Sequence, residues 1–217
     1  MSISDFLSKL FLGALGETIY MTLVPTVLAT IIGFVMAVIL VLTKPNGLSP
    51  NKTVNSIVGF IVNILRSFPF IILMIAMIPL TRLIVGTSIG ETAAIVPITI
   101  GSAPFIARVI ESALNEVDEG LIEAARSFGA TKSQIVWKVM VKEAMPSIIS
   151  GITLSIISIL GCTAMAGAVG AGGFGKVAIV YGYQSFDDNV MLYTVVALAI
   201  LVPVSYTHLT LPTKLEV

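Results

Sequence analysis

Apolar residues dominate this chain in long runs, and the polar positions collect into a few short passages between them. A membrane-spanning helix needs about 20 mainly apolar residues, within ~17–25. Five runs satisfy that pattern. They are 19-IYMTLVPTVLATIIGFVMAVILVLT-43, 57-IVGFIVNILRSFPFIILMIAMIPL-80, roughly Ile84–Ile106, 148-IISGITLSIISILGCTAMAGAV-169 and roughly Asn189–Val204. Pro25, Pro69, Pro97 and Pro104 fall inside or beside these runs, as kinks or breaks that membrane helices tolerate. The sequence therefore predicts an all-α polytopic membrane protein with five transmembrane helices.

Between the third and fourth runs lies the longest polar passage, which contains 121-LIEAARSFGATKSQIVWKVMVKEAMP-146. Glu123, Arg126, Ala130 and Gln134 recur there at helical spacing, and Leu121, Ala125, Phe128, Ile135 and Val139 supply scattered apolar positions. Gly129 predicts a helix stop after Phe128, and Thr131 predicts the start of a second helix. Pro146 is expected to open the fourth span. The whole reads as a helix–Gly–helix hairpin tied to the membrane at both ends.

Composition strengthens this picture. Hydrophobic residues make up 56% of the 217 residues and charged residues 11%, against about a quarter charged in soluble domains. The formal net charge is zero, which gives no general basis for binding nucleic acid. One cysteine, Cys162, and one histidine, His208, leave no metal-ligand spacing and no nucleophile triad. No catalytic residue is expected. Residues 1–10 carry Asp5 and Lys9, and the first apolar run is too long for a signal peptide core, so it is read as the first span.

Basic residues set the orientation. Lys44, Lys52, Arg108, Arg126, Lys132, Lys138, Lys142 and Lys214 fall on one side, eight in all. Lys9, Arg82 and Lys176 fall on the other, three in all, with Arg66 inside the second run. The N-terminus is expected outside, the hairpin in the cytoplasm and the C-terminus inside.

Two further places have alternative readings. The small-residue stretch 161-GCTAMAGAVGAGGFGKVAIVYGYQ-184 suits close helix packing, or a narrow pathway wall with Met165 as its largest flexible side chain. No Gly-Lys-Ser/Thr follows its glycines, so it is not a phosphate loop, and ATP-driven work would need a partner's ATPase. Arg66 is either a pathway or gating residue, or a structural group paired with Glu17, Glu91 or Glu111, or snorkelling where the helix breaks at Pro69. Asp187 and Asp188 read as a solvated helix start.

The hairpin pattern resembles a known family. Glu123-Ala124-Ala125, three residues and then Gly129, followed by an apolar position near Val139 and Pro146, is similar to the EAA loop of type I ATP-binding-cassette importer permeases. The usual Leu-Pro pair is replaced here by Val141-Lys142. The stretches 63-NILRSFPFIILMIAMIPLTRLIVGTSIG-90, 94-AIVPITIGSAPFIAR-108 and 164-AMAGAVGAGGFG-175 narrow the resemblance to the methionine importer permeases, over about residues 15 to 204.

The resemblance implies a domain at 19–204 with its coupling loop at 107–147, after an extracytoplasmic segment 1–18. The tail 205–217 does not fit the family and is read as atypical, non-native sequence. Glu123, Ala124, Ala125 and Gly129 are implied to contact the ATPase, and Met165 and Arg66 are candidate pathway or gate residues. The implied assembly is a homodimer in the bacterial inner membrane, surrounded by lipid, with two cytoplasmic ATPase subunits and an extracytoplasmic methionine-binding lipoprotein. The chain itself would be no enzyme and would bind no cofactor, with ATP and Mg²⁺ held by the partner. The alternatives are a permease of the same class for another amino acid or small solute, and a stand-alone channel or secondary transporter.

Overall fold

The structure is a computed structural model; it describes the backbone of residues 1–214 and the side chains of residues 1–202. We number the helices α1 (Ile3–Thr43), α2 (Lys52–Ser67), α3 (Phe70–Ala76), α4 (Ile78–Val85), α5 (Glu91–Asn115), α6 (Glu119–Ser127), α7 (Lys132–Val169), α8 (Gly173–Lys176) and α9 (Asp188–Lys214). Helix α8 runs on through a π-helical segment, Val177–Gln184. There are no strands among the described residues. Helices α1, α5 and α7 are each long and apolar enough to cross a membrane, and the pair α2 and α3 makes a fourth if counted as one span. The described part of α9, Asp188–Val202, is a shorter apolar helix.

Two expected boundaries need correction, whereas the break expected at Pro69 is present: within the apolar run 57–80, α2 and α3 meet at a bend of 105°. Pro69 has no N–H to donate, and it forces Phe68 into an extended conformation (ψ 130°). The third span does not begin near Ile84, because α4 ends at Val85 with a turn behind it and α5 starts only at Glu91. No helix starts at Pro146. It lies inside α7, which is continuous from Lys132 to Val169 and carries a π-helical turn at Ile135–Met140. The tail 205–217 falls where side chains lie outside the described residues.

The core face of α1 is built mostly from small side chains. Helix α1 buries Ala14, Thr18, Met21, Pro25, Ala29, Gly33, Ala37 and Leu40 at three- to four-residue spacing, while Leu23, Val27, Ile31 and Val35 point outward. Water-soluble helices bury their bulky residues; on α1 most of the bulk faces out, where acyl chains solvate it, and smallness brings backbones together. A Cβ at Gly33 would stand 2.8 Å from the Ala103 carbonyl oxygen of α5. Several buried hydroxyls bond back into their own helices: Thr22 donates to the Thr18 carbonyl (2.8 Å), Thr26 to Thr22 (2.7 Å) and Ser155 to Gly151 (2.8 Å). These three need no water to satisfy them.

The glycine-rich stretch packs closely. Gly167 and Gly175 are buried, and a Cβ on either would run into backbone, that of Gly175 for the first and of Ala164 for the second. The short helix α8 is held from α1. The Glu17 carboxylate accepts the Gly173 N–H at 2.6 Å, and the Thr18 hydroxyl accepts the Phe174 N–H at 3.0 Å. Asp187 caps α9 by accepting the Val190 N–H (3.2 Å), and it pairs with the Met1 ammonium at 2.6 Å. That hydrogen bond holds the Asp187 carboxyl below its usual range.

Adding one methyl group separates packing from propensity. Gly175→Ala should destabilise the protein by about 1–3 kcal/mol, the usual cost of overpacking. Gly161→Ala, with open space beside it, should be neutral or slightly stabilising. Thermal unfolding midpoints in detergent would check this, with a drop expected only for Gly175→Ala.

Candidate functional site: a capped hairpin and a mid-span cavity

The hairpin joins two long helices. Helix α6 starts at Asp118, whose side chain accepts the Gly120 N–H at 2.6 Å. It ends in a paired carbonyl cap: the Gly129 N–H donates to the Arg126 carbonyl (2.9 Å) and the Ala130 N–H to the Ala125 carbonyl (3.1 Å). This double closure requires a left-handed residue after the cap, and Gly129 supplies it at φ +77°. Helix α7 opens two residues later with a capping box. The Gln134 N–H donates to the Thr131 hydroxyl (3.3 Å), and the Thr131 N–H donates to the Gln134 side-chain oxygen (2.8 Å). Both expected boundaries, the stop after Phe128 and the start at Thr131, match.

The expected residues divide between two roles in this geometry. Ala125 and Ala130 are half-buried, as is Ile122, and all three pack on a core that includes Ile135, Val136 and Met140. Ala124, Glu123 and Gly129 are exposed, and Phe128 at the turn is 90% exposed. Trp137 stacks on Phe34 of α1 with ring centroids 5.4 Å apart. Glu123 and Arg126 line a cleft of about 260 Å³ with Lys44, Asn115 and Glu119.

The α1–α2 loop braces the hairpin, a feature that the sequence pattern did not single out. Lys44 donates to Asn115 at 2.7 Å and Lys132 donates to Ser49 at 3.2 Å. These contacts join residues 71 and 83 positions apart, so no local signal reveals them.

The remaining two candidates lie elsewhere. Arg66 stands at the end of α2 beside the Pro69 bend and lines a second cavity, also of about 260 Å³, with Ser102 and Phe105 of α5 and Ser158 and Cys162 of α7. None of the carboxylates expected to pair with it does so. Glu17 is engaged with Gly173, Glu111 pairs with Arg108 at 2.7 Å, and among the described residues Glu91 makes no ion pair with Arg66. Arg108 also donates to Asn63 of α2 at 2.8 Å. Met165 lies one turn beyond Cys162 on α7 and is 42% exposed. The structure thus groups Glu123, Ala124, Ala125 and Gly129 in one hairpin, and leaves Arg66 and Met165 apart from it. Among the described residues no group of three or more His, Cys, Asp or Glu side chains could hold a metal.

This arrangement matches known proteins closely. Residues 29–210 match the family described as "Binding-protein-dependent transport system inner membrane component". A probable D-methionine transport system permease protein MetI of Vibrio cholerae is 50% identical over 91% of this chain and 88% of its own length. The methionine import system permease protein MetP of Bacillus subtilis is 49% identical over 76% of this chain and 74% of its own. Among solved structures, a chain of the MetNI methionine ABC transporter in an inward facing conformation superposes with a TM-score of 0.94 at 45% identity, covering 99% of this chain and 98% of that one. An amino acid ABC transporter solved with histidines shares the fold at 18% identity (TM-score 0.75, 91% and 89% covered). The all-helical architecture is that of the type I ABC importer permeases. With the match covering most of its length, the chain belongs to the family of inner-membrane components of binding-protein-dependent transport systems.

Proposed function

We propose that this chain is the permease subunit of an ATP-driven methionine importer in the bacterial inner membrane. The observation that carries the reading is the hairpin. A doubly capped, braced element with an exposed Phe128 at its apex is suited to being gripped by another protein, and it continues directly into a helix long enough to cross the membrane. The methionine transport permeases among its relatives support the cargo, D- or L-methionine. The MetNI transporter supports an assembly of two permease copies with ATPase partner subunits, and an extracytoplasmic binding protein completes it.

In this reading the chain is no enzyme and binds no cofactor. ATP and Mg²⁺ belong to the partner, whose closure draws the two hairpins together and turns the pathway from inward- to outward-facing. The polypeptide crosses the membrane five times, with α9 as the last crossing, the N-terminus outside and the C-terminus inside, on the strength of its basic residues. The coupling segment is 107–147. Glu123 accepts charge-assisted hydrogen bonds from the ATPase. Ala124 leaves room for its surface, while Ala125 and Gly129 fix the turn that presents Phe128.

Proteoliposomes holding the permease and its ATPase, with the binding protein outside, should take up radiolabelled methionine only when ATP and all three proteins are present. Glu123→Ala should lower uptake at least tenfold while the ATPase still copurifies. Gly129→Pro removes the N–H that closes the cap and cannot reach φ +77°, so it should abolish both uptake and ATPase copurification. Methionine flux through the permease alone would contradict the importer reading.

A smaller change grades the coupling. Thr131→Ala deletes one half of the capping box and should cost the hairpin about 1 kcal/mol. Methionine-stimulated ATP hydrolysis should fall several-fold, with thermal stability of the spans unchanged in the permease alone.

A further inference from the structure

Arg66 occupies a costly position. It lies 14 residues beyond Lys52, about 21 Å along the helix from the polar end of α2 at ~1.5 Å per residue. Its neighbours across the cavity, Ser102 and Ser158, are in the middle stretches of α5 and α7. A charged group at such depth is retained for a partner or a passing solute. Among the described residues it has no ion pair and no hydrogen bond.

The lining around it is selective in kind. It contains this one cation and no acidic residue. The hydroxyls of Ser102 and Ser158 have no partner among the described residues, unlike Ser155, which is spent on the Gly151 carbonyl. The rest is apolar, with Phe70, Leu73, Phe105 and Ile159. A volume of about 260 Å³ approaches the ~300 Å³ lower end of small-molecule sites. The cavity therefore suits a small solute with an anionic end, a hydrogen-bonding group beside it and an apolar remainder, and it disfavours a cationic side chain.

We propose that this cavity is a transit site for the cargo within the permease, in which Arg66 recognises the carboxylate of methionine. The inference rests on the importer reading above. The guanidinium takes the carboxylate through paired charge-assisted hydrogen bonds. Ser102 and Ser158 accept hydrogen bonds from the ammonium group. The thioether lies against Phe105 and Phe70, since sulfur packs favourably at aromatic rings. The site adds discrimination inside the membrane, separate from that of any protein delivering the cargo.

Cys162 is the chain's sole cysteine and lines the cavity, so it reports on occupancy. The rate of Cys162 alkylation by N-ethylmaleimide would be followed by mass spectrometry of the permease, in the detergent-solubilised permease–ATPase complex. L-Methionine should slow alkylation, and methionol, which lacks the carboxylate, should not. Arg66→Gln should raise the half-protecting methionine concentration about tenfold or more, with the unliganded alkylation rate unchanged, and Arg66→Lys should recover part of the loss. Equal protection by methionine and methionol, or undiminished protection in Arg66→Gln, would overturn the assignment; the latter would place the effect in the ATPase. Protection by phosphatidylglycerol with none by methionine would overturn it in favour of a lipid contact. Wild-type uptake without Cys162 protection would sink this site alone, whereas a wild type that shows neither uptake nor protection would sink the importer reading with it.

Discussion

One unbroken helix ties the polar hairpin of this molecule to its glycine-rich stretch. Helix α7 runs from Lys132 in the polar hairpin to Val169 in the glycine-rich stretch, 38 residues, or about 57 Å at ~1.5 Å per residue. Inside a bilayer every backbone N–H and C=O needs a partner in the protein, so a helix is the cheapest way across and a break is expensive. The cap at Thr131 starts this rod outside the apolar region, and Gly167 packs its far end on α8. A displacement at the hairpin reaches Cys162 and Met165 along a continuous hydrogen-bonded axis.

Rigidity of the rod is matched by adaptable joints around it. The bend between α2 and α3 at Pro69 places Arg66 where one helix stops and the next turns away. Helix α8 is held on α1 by two hydrogen bonds to its backbone, from Glu17 and Thr18, not by bulky interdigitation. The α1 side of its interface with α5, and the interface of α7 with α8, rely on small residues, which allow close contact. A permease that alternates between two states needs such a division between stiff levers and joints of low side-chain volume.

Sequence chemistry made the hairpin legible and the spans less so. Gly129 and Thr131 act locally: a left-handed turn and a side-chain cap need only their immediate neighbours, and their signals survive in any surroundings. The ends of the spans depend on the backbone instead. Composition alone makes 57–80 a single apolar run, although Pro69 bends it, and makes Pro146 a boundary, although a long apolar helix tolerates it. Arg66 showed the limit of pairing by composition. Glu17 and Glu111 were plausible partners, but the fold gives the first to a backbone amide 156 residues away and the second to Arg108, three residues before it in α5. Likewise, only the fold brings Lys44 to Asn115.

The central claim is that the hairpin and the glycine-rich end of α7 move as one body. Pulsed electron resonance between spin labels at Ser133 and Met165 of one chain would test it directly. The labels would be carried on a Cys162→Ser background, with labelled chains diluted among unlabelled copies in the permease–ATPase complex. The separation should stay near 48 Å, 32 residues at ~1.5 Å each, with and without a non-hydrolysable ATP analogue. A change of several ångströms on nucleotide binding would show that the hairpin swings independently of the span, and would contradict the account.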